Sequence, residues 1–219
     1  QPTDAGHGAR LDLHYGFVVA LLNDLFGIQA RGGCSCAGPY GHQLLGMDMA
    51  ASKAIEREIR AGQMILRPGW VRLNFNYFID EATFEYLLRA VELIAEHGWR
   101  LLPYYEFEQS TATWRFQGQT MQLGQPLAQI DFSEESREQA FTSDKAIGSD
   151  ELAALLHEAE ATLATVARVG EAADQGAPEL NTYRLTLPAS VNALRWFALP
   201  QEVSAHLFGE SENKSEAAA

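Results

Sequence analysis

The segment RGGCSCAGPYGH, residues 31–42, carries the only two cysteines of the chain, Cys34 and Cys36. A thiol is nucleophilic as the thiolate, which requires exposure and a neighbouring cation or helix N-terminus. The glycines of this segment favour a loop that presents a sulfur atom, and Arg31 or His42 would favour the thiolate. The alternative is that both cysteines are small core residues, which suits Cys34 better than Cys36. This segment is the first candidate site.

A metal site is a second interpretation of the same segment. Its ligands would be Cys34, Cys36 and His42, with His14 as a fourth. The C-x-C spacing is uncommon for a metal half-site and the chain has no second cysteine pair, so the sequence does not favour a metal. A Ser-His-Asp triad has no support, phosphate-binding glycine motifs are absent, and the histidines outside the segment are interpreted as surface or capping residues.

Arg72 is the second candidate site. It lies in VRLNFNYF, residues 71–78, whose alternation predicts a strand with its apolar residues on one face. Arg72 would point to the other face, with Asn74 and Asn76, where a guanidinium can hold a carboxylate through two parallel hydrogen bonds. The alternative is an ordinary exposed strand residue. The aromatic residues of this region are predicted to belong to the core: Trp70, Phe75, Tyr77 and Phe78.

The elements that must position these residues are predicted from apolar spacing and capping residues. Helices are predicted over residues 17–28 with Gly27 as the C-cap, 48–62, 80–98 with Asp80 as the N-cap, and 149–170. Predicted strands are a brief one within 29–40 that leads into an exposed loop, a hairpin of 104–107 and 113–116, and a short strand at 183–187 or 194–197. The sequence therefore predicts an α+β fold, with helices packed on one face of a short antiparallel sheet and an appended α+β extension.

The overall composition restricts the possible partners. The 219-residue chain is 47% hydrophobic and has a formal net charge of -13 at pH 7. Such an acidic chain lacks the positive field that nucleic acid or an anionic membrane requires, so small molecules and proteins are the expected partners. No apolar run reaches roughly 20 residues and residues 1–30 lack a secretory signal pattern, so a cytoplasmic protein is predicted. The chain starts at Gln1 in a segment without apolar periodicity, which suggests a fragment truncated at its N-terminus.

The order of these motifs resembles the C-terminal small domain of class V aminotransferase-fold enzymes over about residues 14–100. FGIQARGGCSCAGP is followed by a connecting helix, by GWVRLNFNYF and by a helix with an acidic cap. Within that family the chain is most similar to group II cysteine desulfurases and selenocysteine lyases, whose loop reads R-x-G-x-x-C-A-x-P. The resemblance implies a pyridoxal 5'-phosphate enzyme of fold type I, usually a homodimer, that acts on an amino-acid substrate.

The resemblance also implies roles for two residues. Cys36 falls on the loop cysteine that accepts sulfur as a persulfide, and is followed by Ala37 and Pro39. Arg72 falls on the arginine that grips the substrate carboxylate. Cys34, the continuation GPYGHQLLG and the extension after residue 105 depart from the family pattern and indicate a distinct subgroup, whose reaction need not be desulfuration.

The family's cofactor lysine has no counterpart among the three lysines, which follow the loop on a predicted helix, polar linker or tail: Lys53, Lys145 and Lys214. Pyridoxal 5'-phosphate is therefore expected to be bound by an upstream domain, and this chain alone is predicted to be inactive. Residues 1–105 are predicted to form the small domain, 106–205 the extension and 206–219 a disordered tail. The alternative is a non-enzymatic Cys-x-Cys module that responds to redox state or metal, or a pseudo-enzyme fragment that acts through protein contacts.

Overall fold

Helix α1, Tyr15–Phe26, supplies the centre of the core in the computed structural model, which describes residues 11–34, 38–117, 147–171 and 183–208. Phe17, Leu21 and Leu22 recur on one helical face and are buried. Gly27 ends the helix in the left-handed conformation, with φ 63°, and its N–H donates to the carbonyl of Asn23. The predicted C-cap is confirmed.

Six further helices occur in the described residues, and the start of one of them carries a predicted N-cap. Asp80 begins α4, because its Oδ1 accepts the backbone N–H of Thr83 at 2.8 Å, so the predicted N-cap is confirmed.

None of the described helices combines the length and the apolar character needed to cross a membrane. The helices are α2 (Gly38–Leu44), α3 (Met49–Arg60), α4 (Glu81–His97), α5 (Ser149–Glu171), α6 (Ala189–Asn192) and α7 (Pro200–Phe208), with 3-10 turns at Met64–Leu66 and Gly98–Tyr104.

Two antiparallel sheets of two strands each complete the described elements. Strand β1, Arg31–Gly33, pairs with β2, Trp70–Arg72. Strand β3, Tyr105–Glu108, pairs with β4, Thr113–Phe116, which confirms the predicted hairpin. The described fold is α+β, as predicted, and it is mostly helical. Buried residues from both predicted domains, 1–105 and 106–205, belong to one contiguous core.

The strand predicted over residues 71–78 is wrong beyond Arg72. The ladder ends where Arg72 pairs with Arg31, and further along Asn76 accepts the N–H of Phe78 on its Oδ1 at 3.0 Å and that of Ile79 on its carbonyl at 3.3 Å. An asparagine that binds the backbone two residues on forms a turn. The predicted burial of the aromatic residues therefore fails for three of them, while Trp70 is half-buried. The exposed fractions are 47% for Phe75, 89% for Tyr77 and 75% for Phe78.

Other local predictions also need correction. Residues 38–40 were expected in a loop but begin α2, because Pro39 fits the first turn of a helix, where its missing N–H forfeits no hydrogen bond. Neither 183–187 nor 194–197 forms a strand; instead the backbone of Leu185 binds the side-chain amide of Gln201 through both of its polar groups. Helix α7 includes residues 206–208 of the predicted tail, and the remainder of that tail lies outside the described residues.

His14 is a polar residue inside the core, with 2% of its surface exposed. Its Nδ1 accepts the N–H of Gly16 and the indole N–H of Trp114, each at 3.0 Å. Because Nδ1 accepts, the ring proton is on Nε2, which donates to the carbonyl of Ile65 at 3.2 Å. The imidazole also stacks on the ring of Tyr15, with centroids 4.5 Å apart. His14 is therefore neutral, and its burial lowers its pKa to about 4.

We expect the free energy of unfolding to decrease as the pH falls from 6.5 towards 4. Unfolded chains bind a proton at His14 near pH 6.5, whereas the folded chain binds it near pH 4. Between pH 7.5 and pH 5 this difference corresponds to about 2 kcal/mol. Urea denaturation at several pH values measures it. His14→Gln removes this part of the pH dependence, whereas His157→Gln, at an exposed position of α5, retains it.

A direct measurement covers the case in which His14→Gln does not fold. The chemical shifts of the His14 ring in the unaltered chain are expected to stay those of a neutral imidazole at pH 5. A His14 ring that becomes protonated near pH 6.5 in the folded chain would contradict the prediction.

Candidate functional site

The antiparallel ladder of β1 and β2 brings two predicted site residues together. Arg31 and Arg72 are paired directly across the ladder, and both are exposed. Residues opposite each other in a ladder project to the same face, so the two guanidinium groups share one face. The sequence identified both arginines separately but did not predict that they are neighbours.

The charge of this pair is not neutralised by any described residue. Elsewhere in the described chain several arginines bind carboxylates: Arg60 with Glu56, Arg89 with Glu160, Arg115 with Glu106, and Arg195 with Glu202. Arg31 and Arg72 have no ion pair and no side-chain hydrogen bond within the described residues. Like charges directly opposite each other weaken a ladder. An anion bound between the two guanidinium groups would be attracted to both of them.

Helix α1 and helix α2 lie on opposite faces of the ladder. A Cβ on Gly32 would lie 2.7 Å from the ring of Tyr15, which places α1 on the face towards which Gly32 and Val71 project. A Cβ on Gly41 of α2 would lie 2.7 Å from the ring of Trp70, whose side chain projects to the other face. Because side chains alternate along a strand, Arg72 shares the face of Trp70 and points away from α1.

A close backbone contact holds the end of the ladder. A Cβ on Gly69 would lie 2.5 Å from the carbonyl carbon of Gly33 and 2.9 Å from the backbone nitrogen of Cys34. The neighbouring atoms belong to the backbone, so they cannot move aside as the end of a side chain can. Gly69 is therefore required for the approach of the chain before β2 to the chain after β1.

Of the two cysteines, Cys34 lies within the described residues and Cys36 does not. Cys34 directly follows β1, carries a free thiol and is half-buried. Cys36, predicted as the nucleophile, lies outside the described residues, so its role stays a prediction.

His42, predicted as an accessory residue, has a different partner in the described chain. It is half-buried on α2, and its Nδ1 is hydrogen-bonded to the hydroxyl of Ser52 on α3. The described residues include no hydrogen bond from His42 to Cys34. The imidazole thus joins α2 to α3.

The metal interpretation loses one of its ligands. Both ring nitrogens of His14 take part in hydrogen bonds inside the core, so His14 is not free to bind a metal ion. No group of three or more histidine, cysteine, aspartate or glutamate side chains with the arrangement of a metal site occurs among the described residues. A site that uses Cys36 falls outside them.

Sequence analysis missed Tyr15, which lies beside the ladder at the start of α1. Its pKa is raised by burial, with Arg67 opposing that change and Cys34 adding to it. The Tyr15 hydroxyl is therefore within electrostatic reach of both side chains. A signal was present in the spacing, because Tyr15, Val18 and Leu22 lie at positions that share one face of a helix.

Replacing Gly69 with alanine tests the close backbone contact. We expect Gly69→Ala to lower the free energy of unfolding by about 1 to 3 kcal/mol, because the added methyl group forces β1 and β2 apart. Gly38→Ala is the matched control, since a Cβ on Gly38 has open space around it. Urea denaturation gives the stabilities, and amide exchange at Gly32 and Val71 reports on the ladder. Equal stability of the two variants would show that the contact is not needed.

No family model, no curated protein and no solved structure matches this chain. The relation to class V aminotransferase-fold enzymes is therefore a resemblance of motifs. The features that bear on function are the two arginines on one face of the ladder, which have no carboxylate partner among the described residues, and the tyrosine on the other face.

Proposed function

We propose that this chain is the carboxylate-binding part of a pyridoxal 5'-phosphate-dependent enzyme of the class V aminotransferase fold. The enzyme acts on an amino-acid substrate and is a homodimer. The observation that carries the proposal is the cross-strand pair of Arg31 and Arg72, which is exposed and without a carboxylate partner among the described residues. The resemblance of residues 31–42 and of the region around Arg72 to that family supports the same function.

The arginine pair is suited to a planar anion such as a carboxylate. A guanidinium offers two parallel N–H donors, and hydrogen bonds between charged groups are shorter and stronger than neutral ones. Arg72 would hold the substrate carboxylate in this way, and Arg31 would supply further donors from the opposite strand. The bound carboxylate also relieves the repulsion between the two cations. Fixing the carboxylate limits the orientations open to the reacting carbon beside it.

The described residues do not fit the cofactor itself. Attachment of pyridoxal 5'-phosphate requires an amine, and the lysine among the described residues is Lys53. Lys53 is exposed on α3 beside Glu56 and Arg57. Because a surface amine does not form a buried attachment site, we assign the cofactor to an upstream domain. When bound there, the cofactor supplies an electron sink for chemistry at the substrate's α-carbon.

The loop thiol is the second part of the proposal. Cys36 is assigned as the reactive thiol because it matches the family's loop cysteine in register. Cys34 suits a packing role better, since it is half-buried directly after β1.

The 219-residue chain is not expected to form a covalent imine with the cofactor. Incubation with pyridoxal 5'-phosphate, reduction with borohydride and peptide mapping should show only substoichiometric labelling spread over several amines, because Lys53 is a solvated surface side chain. Stoichiometric labelling of one lysine would contradict the assignment of the cofactor to another domain.

Carboxylate binding by the arginine pair can be measured in the chain itself. In a ¹⁵N NMR titration, L-alanine should shift the Nε–H resonances of Arg31 and Arg72 saturably, whereas L-alaninamide, which lacks the carboxylate, should not. Arg72→Ala should weaken L-alanine binding at least about tenfold, because the charge-assisted hydrogen bonds are lost. Arg72→Lys should restore little, because an ammonium cannot form the paired contact.

The control is Arg57→Ala, which removes another exposed arginine from α3. This variant should bind L-alanine as the unaltered chain does. Unchanged binding by Arg72→Ala would show that Arg72 is an ordinary surface residue. In a longer polypeptide that carries the cofactor, Arg72→Ala should raise KM for the amino acid at least about tenfold.

A further inference from the structure

The turn before α4 exposes two large aromatic side chains to solvent. Tyr77 is 89% exposed and Phe78 is 75% exposed, and their rings contact each other with centroids 3.9 Å apart. An aromatic side chain has about 150 to 250 Å² of surface to bury, so these two expose on the order of 300 Å². Larger contiguous apolar patches are rare on monomeric proteins and mark interaction surfaces. The turn is therefore a candidate contact surface.

Helix α4 extends this apolar surface. Phe84, Leu88 and Val91 lie at positions i, i+4 and i+7, which share one side of a helix, and they are 36%, 42% and 39% exposed. Phe75 joins the turn to the helix, because its ring packs edge-on against that of Phe84 with centroids 5.4 Å apart. A solvated side of a surface helix normally carries polar residues. We call the following six residues the α4 face: Phe75, Tyr77, Phe78, Phe84, Leu88 and Val91.

One flank of the α4 face is acidic. Glu85 and Glu92 directly follow Phe84 and Val91, so both project from the same side of the helix, about 100° from the residues they follow. Over its whole length α4 has four glutamates and one arginine, Arg89, which is bound to Glu92 and to a glutamate of α5. Glu85 has no ion pair among the described residues. The flank therefore presents negative charge to solvent.

The α4 face is separate from the arginine pair of the proposed function. Phe75 and Val91 line the space between α1 and α4 together with Val71, which projects to the α1 face of the ladder. Arg31 and Arg72 project to the other face of the ladder and form no ion pair with the glutamates of α4. An occupant of the α4 face would therefore meet these glutamates rather than the arginine pair.

We propose that the α4 face binds an amphipathic helix of a partner protein, whose apolar side chains are flanked by lysine or arginine. From Phe84 to Val91 the α4 face spans about 10 Å, which matches two turns of a partner helix with apolar residues at i, i+4 and i+7. Basic side chains beside these apolar residues would face Glu85 and Glu92. A second copy of this chain would instead bring the same glutamates and a net charge of -13 to the interface.

The probe is a fluorescein-labelled peptide of about 18 residues, made of leucine and lysine with leucine at helical spacing. Titration with the 219-residue chain should raise the fluorescence anisotropy of the peptide saturably at micromolar concentration. A peptide with glutamate in place of lysine, which reverses the charge, should bind at least about tenfold more weakly. A peptide of leucine and lysine in scrambled order, which has no apolar face, should also bind at least about tenfold more weakly.

Variants test whether the peptide occupies the α4 face. Leu88→Asp places a charge in the middle of the face and should weaken binding at least about tenfold. Leu44→Asp, at an exposed position of α2, is the matched control and should bind normally. Glu85→Lys should weaken binding severalfold more than Glu158→Lys, which makes the same charge change at an exposed position of α5. Circular dichroism and urea denaturation confirm that each variant is folded.

Four results would overturn the proposal. Equal binding by Leu88→Asp and Leu44→Asp would place the peptide elsewhere. Equal effects of Glu85→Lys and Glu158→Lys would reduce the attraction to the overall charge of the chain. A dimer of the unaltered chain that Leu88→Asp converts to a monomer, measured by sedimentation, would identify the α4 face as an interface between copies. Binding to phosphatidylcholine vesicles that Leu88→Asp abolishes would identify it as a membrane-binding surface. The L-alanine titration of the arginine pair is independent of all four results.

Discussion

The imidazole of His14 fixes the start of α1, because it is hydrogen-bonded at once to α1, to β4 and to the turn at Met64–Leu66. These three segments are far apart in sequence. The geometry requires one tautomer, in which Nδ1 accepts two hydrogen bonds and Nε2 donates one. A proton on Nδ1 would remove both acceptor contacts and place a charge in the core. Tyr15 is the next residue and packs against the ladder at Gly32. Its position depends on this neutral ring.

The two faces of the β1–β2 ladder differ chemically, because the ladder is small and glycines let a helix approach each face. Gly32 lets Tyr15 approach the α1 face, and Gly41 lets α2 approach Trp70 on the opposite face. Helices thus lie close to both faces of a two-stranded sheet. The arginines at the other end of the ladder remain exposed. Gly69 fixes the end near Cys34, so the register that places Arg31 opposite Arg72 is set by backbone contacts rather than by side-chain pairing.

Sequence reasoning succeeded where a local interaction determines the structure. Gly27 and Asp80 form their caps with residues three or four positions away, and both were predicted. It failed beyond Arg72, because the alternating pattern of residues 71–78 shows neither the end of the partner strand at Arg31 nor the turn at Asn76. The pairing of Arg31 with Arg72 arises from a contact between distant segments. A single sequence carries no signal for such contacts, so each residue was visible and their arrangement was not.

The contrast between two kinds of arginine bears on the candidate site. The side chain of Arg195 is almost completely buried, and its guanidinium donates to both carboxylate oxygens of Glu202, so its paired donors are used inside the protein. An arginine in that state cannot bind an external carboxylate. Arg31 and Arg72 are exposed, so water weakens their mutual repulsion without removing it. If a carboxylate of this acidic chain were bound at the ladder, it would occupy the guanidinium N–H donors of Arg31 and Arg72 and block them. No such carboxylate occurs among the described residues, which is what the proposed carboxylate site requires.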